Sequence, residues 1–163
     1  MDGQPPEQPP RDRVGPIPPV VRLGAIHDDG IAPSIYALVL RGVARNPGMA
    51  RTTLGLVELR FAEAFEPTRI AFRVEEIIVE DGAWDRPDLV ISGRLPDIVA
   101  LTTAPLYRGV PNPRHRYGRR ALARVTGGRV RVRGNKALGR RLLQLLQIEP
   151  PHAAERPVRR RAS

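Results

Sequence analysis

The sequence predicts an α+β domain with a five-stranded, mainly antiparallel sheet and several helices. Short stretches in which apolar and polar residues alternate follow one another between residues 57 and 93, and such alternation is typical of half-buried strands. Stretches with an apolar residue at every third or fourth position, typical of helices, stand before and after them. A run of strands beside grouped helices is typical of α+β proteins with an antiparallel sheet.

The first half of the chain is predicted to hold one helix and four strands. The helix begins near Pro33, ends before Asn46, and has an apolar face formed by Ile31, Ile35, Leu38, Val39 and Val43. The strands are centred on Val57-Glu58-Leu59-Arg60-Phe61, Ile70 to Val74, Ile77-Ile78-Val79 and Leu89-Val90-Ile91. The dipeptide Asp81-Gly82 predicts a turn after the third strand, and Gly93 ends the fourth.

The second half is predicted to hold three helices and the fifth strand. A short helix has Pro96 and Asp97 in its first turn, residues 104–118 form a loop, and a helix with Leu122 and Val125 ends at Gly127-Gly128. In the fifth strand, Val130 and Val132 alternate with Arg129, Arg131 and Arg133. Asn135 can cap the last helix, whose apolar stripe consists of Leu138, Leu142, Leu145 and Leu146.

Composition divides the chain into one domain and two tails. Residues 1–22 are predicted to be a disordered, proline-rich N-terminal tail, because they cannot bury enough apolar surface to offset ordering entropy. Residues 23–148 form the domain, and residues 149–163 form a basic, disordered C-terminal tail. No stretch approaches the roughly 18 apolar residues of a membrane helix, and the first residues lack the features of a signal peptide. We therefore expect a cytoplasmic protein.

The residue types argue against catalysis. The chain has no cysteine, which excludes disulfides, thiol catalysis and thiolate-bound metals. Its three histidines, His27, His115 and His152, are scattered, and no spacing suits a catalytic triad or a metal site. We predict that the protein is not an enzyme and that it needs no cofactor and no metal.

The formal net charge of +10 is concentrated in one part of the chain. Residues 98–148 contain twelve basic residues and no acidic one, whereas residues 57–97 contain ten acidic and five basic residues. Such asymmetry indicates an anionic partner or a solvated basic face. Nucleic acid is disfavoured as that partner, because the basic stretch offers only Tyr107 and Tyr117 for stacking on bases and no helix-turn-helix pattern is visible.

Four stretches in order resemble a sterol carrier protein type 2 domain, in a bacterial stand-alone form. They are Ile78-Val79-Glu80-Asp81-Gly82, the segment Pro87 to Leu101, the segment Gly127 to Gly134, and the leucine helix from Lys136 to Leu146. The upstream helix and strands extend the resemblance to about residues 30–148. It implies a five-stranded sheet covered on one side by helices. Sheet and helices would enclose an apolar tunnel for lipids, sterols or fatty acyl chains, without chemistry of its own.

The resemblance turns the apolar residues of this region into candidates for the tunnel lining: Phe72, Ile91, Leu95, Ile98, Val99, Leu122, Val125, Val132, Leu138, Leu142, Leu145 and Leu146. The same leucines can instead fill an ordinary core. The arginines of the loop are candidates for binding an anionic head group or an anionic membrane surface: Arg108, Arg114, Arg116, Arg119 and Arg120. This loop is longer and more basic than the resemblance leads one to expect, and the chain lacks a C-terminal Ser-Lys-Leu signal.

The leading hypothesis is therefore non-catalytic binding or transfer of a hydrophobic small molecule. A fatty acyl or isoprenoid ligand is favoured over a sterol. Two alternatives stay open, a non-catalytic protein-interaction domain with a filled core and a nucleic-acid-binding protein.

Overall fold

A computed structural model describes residues 17–148 of the protein. The expectations for residues 1–16 and 149–163 lie outside the described residues. The strands in chain order are β1 (Val20–Leu23), β2 (Gly55–Phe61), β3 (Thr68–Phe72), β4 (Glu76–Asp81), β5 (Leu89–Gly93), β6 (Leu106–Tyr107), β7 (Val110–Pro111) and β8 (Val130–Gly134). The helices are α1 (Ala32–Arg45), α2 (Pro47–Thr52), α3 (Leu95–Thr103), α4 (Arg116–Thr126) and α5 (Lys136–Leu146).

The main sheet has six strands in the order β1-β4-β3-β2-β5-β8, so the prediction of five mainly antiparallel strands was wrong in detail. The pairs β1–β4 and β2–β5 are parallel, and the other three pairs are antiparallel. The additional strand, β1, includes residues that we assigned to the N-terminal tail. Only Val21 of its four residues is partly buried, so β1 has no alternating pattern from which it could be predicted.

The parallel pair β2–β5 arises because the chain crosses the sheet between β4 and β5. Residues 82–88 carry it from one side of β2 to the other, across the sheet face that the helices leave open. On this path Trp84 donates its indole N–H to the Val57 carbonyl, 3.2 Å away, and its backbone N–H to a Glu58 carboxylate oxygen at 2.8 Å.

This crossing buries a residue that the strand pattern places on the polar side. Glu58 is fully buried beneath the Trp84 segment. Its carboxylate is also bonded to the Arg60 guanidinium, so the buried charge has both a counter-charge and hydrogen-bond donors.

The main core lies between the sheet and helices α1 and α5. It combines Val39 and Val43 of α1, the inner residues of the central strands, and the leucine stripe of α5. Gly42 allows α1 and α5 to approach closely, because a Cβ atom at this position would lie 1.9 Å from the Leu145 carbonyl oxygen.

A second, smaller apolar cluster lies where α3 and α4 cover β5 and β8. Its buried members are Ile98, Leu101, Ala104, Ala121 and Val130. The Arg124 guanidinium donates to the Asp97 carboxylate at 2.9 Å and so connects α4 with α3. This cluster does not fill the whole space between the helices and the edge of the sheet.

The structure confirms the predicted helices and strands at most positions, and the cap of α5 in detail. The Asn135 side chain accepts a hydrogen bond from the Leu138 backbone N–H at 3.1 Å. The predicted loop 104–118 instead contains the hairpin β6–β7 and the first turn of α4. The hairpin turn places Arg108 at φ 52°, and an arginine in this left-handed region gives little sequence signal. Helix α2 was also not predicted.

Candidate functional site

An open cleft of about 540 Å³ lies beside β8, the strand at one end of the sheet. Its floor is formed by strands β5 and β8, and its walls are formed by α4, α5, the hairpin strand β7 and the end of α3. The apolar lining consists of Ile91, Leu101, Gly109, Val110, Pro111, Leu122, Val125, Val130, Val132, Gly139 and Leu143.

The hairpin β6–β7 closes one side of the cleft because its tip packs on α5. Gly109 adopts φ 78°, and a Cβ atom there would lie 3.1 Å from Arg140 Cβ and 3.2 Å from its carbonyl oxygen. Glycine is therefore required both for the turn and for the close approach to α5. On the other side, Gly118 of α4 fits against the backbone of Asn112, which positions Leu122 and Val125 at the cleft.

Helix α5 presents two flanks with different surroundings. Leu138, Leu142, Leu145 and Leu146 are buried in the main core. The adjacent flank, which carries Lys136, Gly139, Arg140 and Leu143, lines the cleft. These four positions follow the i, i+3, i+4, i+7 spacing of one helix face. The flank predicted to line the tunnel is thus buried in the core, and the flank that lines the cleft was not among the predicted residues.

The structure brings together only some of the predicted tunnel residues. Ile91, Leu122, Val125 and Val132 line the cleft. Ile98 belongs to the second apolar cluster, Leu95 is half-buried at the start of α3, and Val99 is exposed. Buried within the main core are the remaining predicted residues, Phe72, Leu138, Leu142, Leu145 and Leu146.

The five predicted cationic residues are all exposed, and none of them lines the cleft itself. Arg108 stands at the hairpin tip, with its guanidinium 5.4 Å from the centre of the Tyr107 ring. Arg116 donates to the Tyr117 hydroxyl at 2.7 Å. Arg114 precedes α4, and Arg119 and Arg120 lie on it. Leu122 follows Arg119 by three residues, which places Arg119 on the flank of α4 nearest the cleft.

Four other cations line the cleft mouth, and we call them the mouth cations: Arg131, Arg133, Lys136 and Arg140. Two of them, Arg131 and Arg133, were predicted to lie on a cationic strand face but were not among the predicted site residues. Within residues 17–148, none of the four has a carboxylate within 4.0 Å, whereas seven ion pairs form elsewhere in that range.

The lining of the cleft suits binding of an apolar group. It contains no acidic residue, no histidine and no hydroxyl side chain. A concavity of similar size, about 570 Å³, lies at the end of β1, but it is lined largely by charged residues, among them the ion-paired Arg22, Arg73 and Glu76. In residues 17–148, no three His, Asp or Glu side chains are grouped as a metal site would require, and no helix could cross a bilayer.

No family model matches the sequence, and no curated protein matches it. Sixteen chains of solved structures do match the fold. One, described as "UbiJ-SCP2 Ubiquinone synthesis protein", has a TM-score of 0.51 and 18% identity over 71% of this chain and 91% of its own. Another is the sec-alkylsulfatase Pisa1 from Pseudomonas sp., with a TM-score of 0.51 and 13% identity over 72% of this chain.

The likeness to the sulfatase extends to only 16% of that enzyme's chain. The palmitated SCP2L2 of Aedes aegypti is also similar, with a TM-score of 0.47 and 17% identity over 76% of this chain and 99% of its own. The likeness to the UbiJ-SCP2 protein, with a TM-score above 0.5, shows that this chain has the fold of sterol carrier protein 2 domains, as the resemblance in the sequence led us to expect.

Proposed function

We propose that this chain, which has a sterol carrier protein 2 fold, binds a hydrophobic ligand without catalysing a reaction, in the cleft between β8, α4 and α5. The observation that carries the proposal is the cleft itself, which is large and open and has a mainly aliphatic lining with the four mouth cations at its rim. Its volume of about 540 Å³ falls within the range of about 300–1,000 Å³ typical of small-molecule sites.

The energetics favour an apolar occupant. Leu122, Val125 and Leu143 are only partly buried and Val132 is exposed, so all four lose contact with water when a ligand fills the cleft. Each 100 Å² of apolar surface removed from water contributes about 2.5 kcal/mol before the costs of association. An acyl or isoprenoid chain supplies such apolar surface and carries no polar groups. This suits the cleft, because its lining offers few hydrogen-bond partners for polar groups.

The fold neighbour described as a ubiquinone synthesis protein supports an isoprenoid among the candidate ligands, because ubiquinone carries an isoprenoid chain. The basic surroundings support a ligand with an anionic head group. In this proposal Arg119 of α4, the other arginines of residues 108–120 and the mouth cations form a cationic rim around the cleft.

The test uses two Leu→Trp variants. For each, it measures the affinity for a neutral fluorescent probe, N-phenyl-1-naphthylamine, and the lipids retained in native mass spectrometry. Leu143→Trp places a larger ring in the cleft, so we expect probe affinity at least about ten-fold weaker. Leu40→Trp is the matched control, because Leu40 is exposed on α1 and does not line the cleft. Its probe affinity should equal that of the unmodified chain.

Two results would overturn the proposal. One is that the unmodified chain neither binds the probe nor retains or takes up any lipid in native mass spectrometry. The other is that Leu40→Trp weakens probe binding as much as Leu143→Trp. Either result would favour the alternative of a protein-interaction domain.

A further inference from the structure

We infer that the mouth of the cleft docks on the surface of an anionic lipid bilayer, through Arg131, Arg133, Lys136 and Arg140. The inference deepens the proposed function, because docking in this orientation opens the cleft towards the membrane from which a ligand would enter. Docking is nevertheless measured separately from ligand binding.

The first argument is that the charge of the mouth cations is uncompensated. The cross-strand neighbours of Arg131 and Arg133 on β5 are Ser92 and Val90, neither of which is charged. On β2, the strand next to β5, the Glu58 carboxylate is already bonded to Arg60 and to the Trp84 backbone. Residues 98–148, which surround the cleft on the helix side, contain no acidic residue.

The second argument is the arrangement of these cations around an apolar centre. Because β8 lies at the edge of the sheet and its residues alternate in direction, Arg131 and Arg133 project on the open side of the sheet while Val132 faces the cleft. Lys136 and Arg140 reach the mouth from α5 on the other side. Cations therefore stand on both sides of β8, and Val132 between them is 38% exposed.

A bilayer surface matches this arrangement. Anionic head groups attract each nearby Lys or Arg with about 1 kcal/mol, and the acyl region accepts the aliphatic centre. Tyr107, which is 56% exposed at the hairpin beside the cleft, is of a residue type enriched at the membrane interface.

A nucleic-acid backbone would match the cations but would leave the aliphatic centre in water. The mouth also lacks a series of aromatic side chains on which the bases of a single-stranded nucleic acid could stack. The observations therefore favour the bilayer, and nucleic acid becomes an outcome of the test.

The experiment measures sedimentation with phosphatidylcholine vesicles, with and without phosphatidylglycerol. The unmodified chain should sediment only with the anionic vesicles, and the binding should fall at about 0.5 M salt because the screening length is then only a few Å. The variant Arg131→Gln/Arg133→Gln/Arg140→Gln should bind roughly 100-fold more weakly, about five-fold for each charge removed.

The control variant is Arg41→Gln/Arg51→Gln, which removes exposed arginines of α1 and α2 that do not line the cleft, and its match is the double variant Arg131→Gln/Arg133→Gln, which should bind roughly 25-fold more weakly. None of these arginines forms an ion pair within residues 17–148, so both double variants should fold like the unmodified chain. The control should keep its vesicle affinity within about two-fold, because its charges lie away from the docking face.

The inference fails if both variants lose vesicle binding equally. It also fails if the unmodified chain ignores anionic vesicles, whether or not it binds a DNA or RNA duplex through the same arginines. Binding of N-phenyl-1-naphthylamine separates this failure from that of the proposed function. A chain that binds the probe but ignores anionic vesicles would keep the proposed function, whereas a chain that docks on vesicles but binds no probe or lipid would retain the docking surface and lose the proposed function.

Discussion

Both flanks of α5 carry leucine, but the surroundings of the two flanks differ. The flank with Leu142 and Leu145 packs against α1, which lies so close that Gly42 is needed at the crossing. The flank with Gly139 and Leu143 faces α4 and the hairpin β6–β7, which leave a cleft of about 540 Å³. The comparison shows that a helix face becomes buried core or lines an open cleft according to how closely the opposing element packs against it. The following predictions test this difference, from the largest expected effect to the smallest.

Truncation of one leucine on each flank should have unequal effects on stability. Leu142→Ala should lower the free energy of unfolding by about 2–5 kcal/mol, because it leaves a cavity in a filled core. Leu143→Ala should lower it by about 1 kcal/mol or less, because Leu143 is already partly exposed to the cleft. Urea denaturation followed by circular dichroism measures both values. Equal losses would mean that the cleft flank is packed as tightly as the core flank.

Replacing a glycine by alanine should lower the stability of the protein at the α1–α5 crossing and raise it on the cleft flank of α5. Gly42→Ala should cost about 1–3 kcal/mol, because the new Cβ meets the Leu145 carbonyl oxygen and forces α1 and α5 apart. Gly139→Ala should stabilise the protein by up to about 1 kcal/mol, because its Cβ would lie 3.7 Å from the Leu89 methyl groups and alanine favours a helix. Thermal unfolding compares the two variants, and a stable Gly42→Ala protein would contradict the close crossing.

Removal of the cap that both flanks share should have a smaller effect. Asn135→Ala should cost about 1 kcal/mol, because the Leu138 backbone N–H loses its side-chain acceptor. Asn135→Asp, which keeps an acceptor at the cap, should stay within a few tenths of a kcal/mol. The measurement is again urea denaturation. A loss as large as that of Leu142→Ala would show that the start of α5 also supports the core.

Much of the fold could be predicted because it follows from patterns among residues that are close together in the sequence. The 3.6-residue period of α1 and α5, the alternation in β2 to β5 and the cap at Asn135 all depend on neighbours in sequence. Strand β1 could not be predicted in this way, because it is short, mostly exposed and paired with β4, which lies more than 50 residues away in the chain. The hairpin β6–β7 escaped prediction because its turn uses an arginine at positive φ.

The candidate site was predicted only in part for a related reason. Periodicity identified Ile91, Leu122, Val125 and Val132 as inward-facing, and these residues do line the cleft. It also selected the leucine stripe of α5, because a continuous apolar stripe is the strongest signal on a helix. That signal marks burial, and burial is greatest where the core is filled. The residues beside an open cleft are mixed in type, like Gly139 and Arg140, and give a weaker pattern.

The sequence by itself determined helices α1, α3, α4 and α5, strands β2 to β5 and β8, the apolar side of most of them, and where the positive charge is concentrated. Only the tertiary structure decided that Glu58 is buried beneath Trp84, that β1 completes a six-stranded sheet, and that one flank of α5 faces a cleft while the other fills the core. The physical reason is that a periodic pattern gives the direction in which a side chain points. The distance to whatever lies opposite is set by elements that are remote in the chain, and that distance decides whether the space is core or cleft.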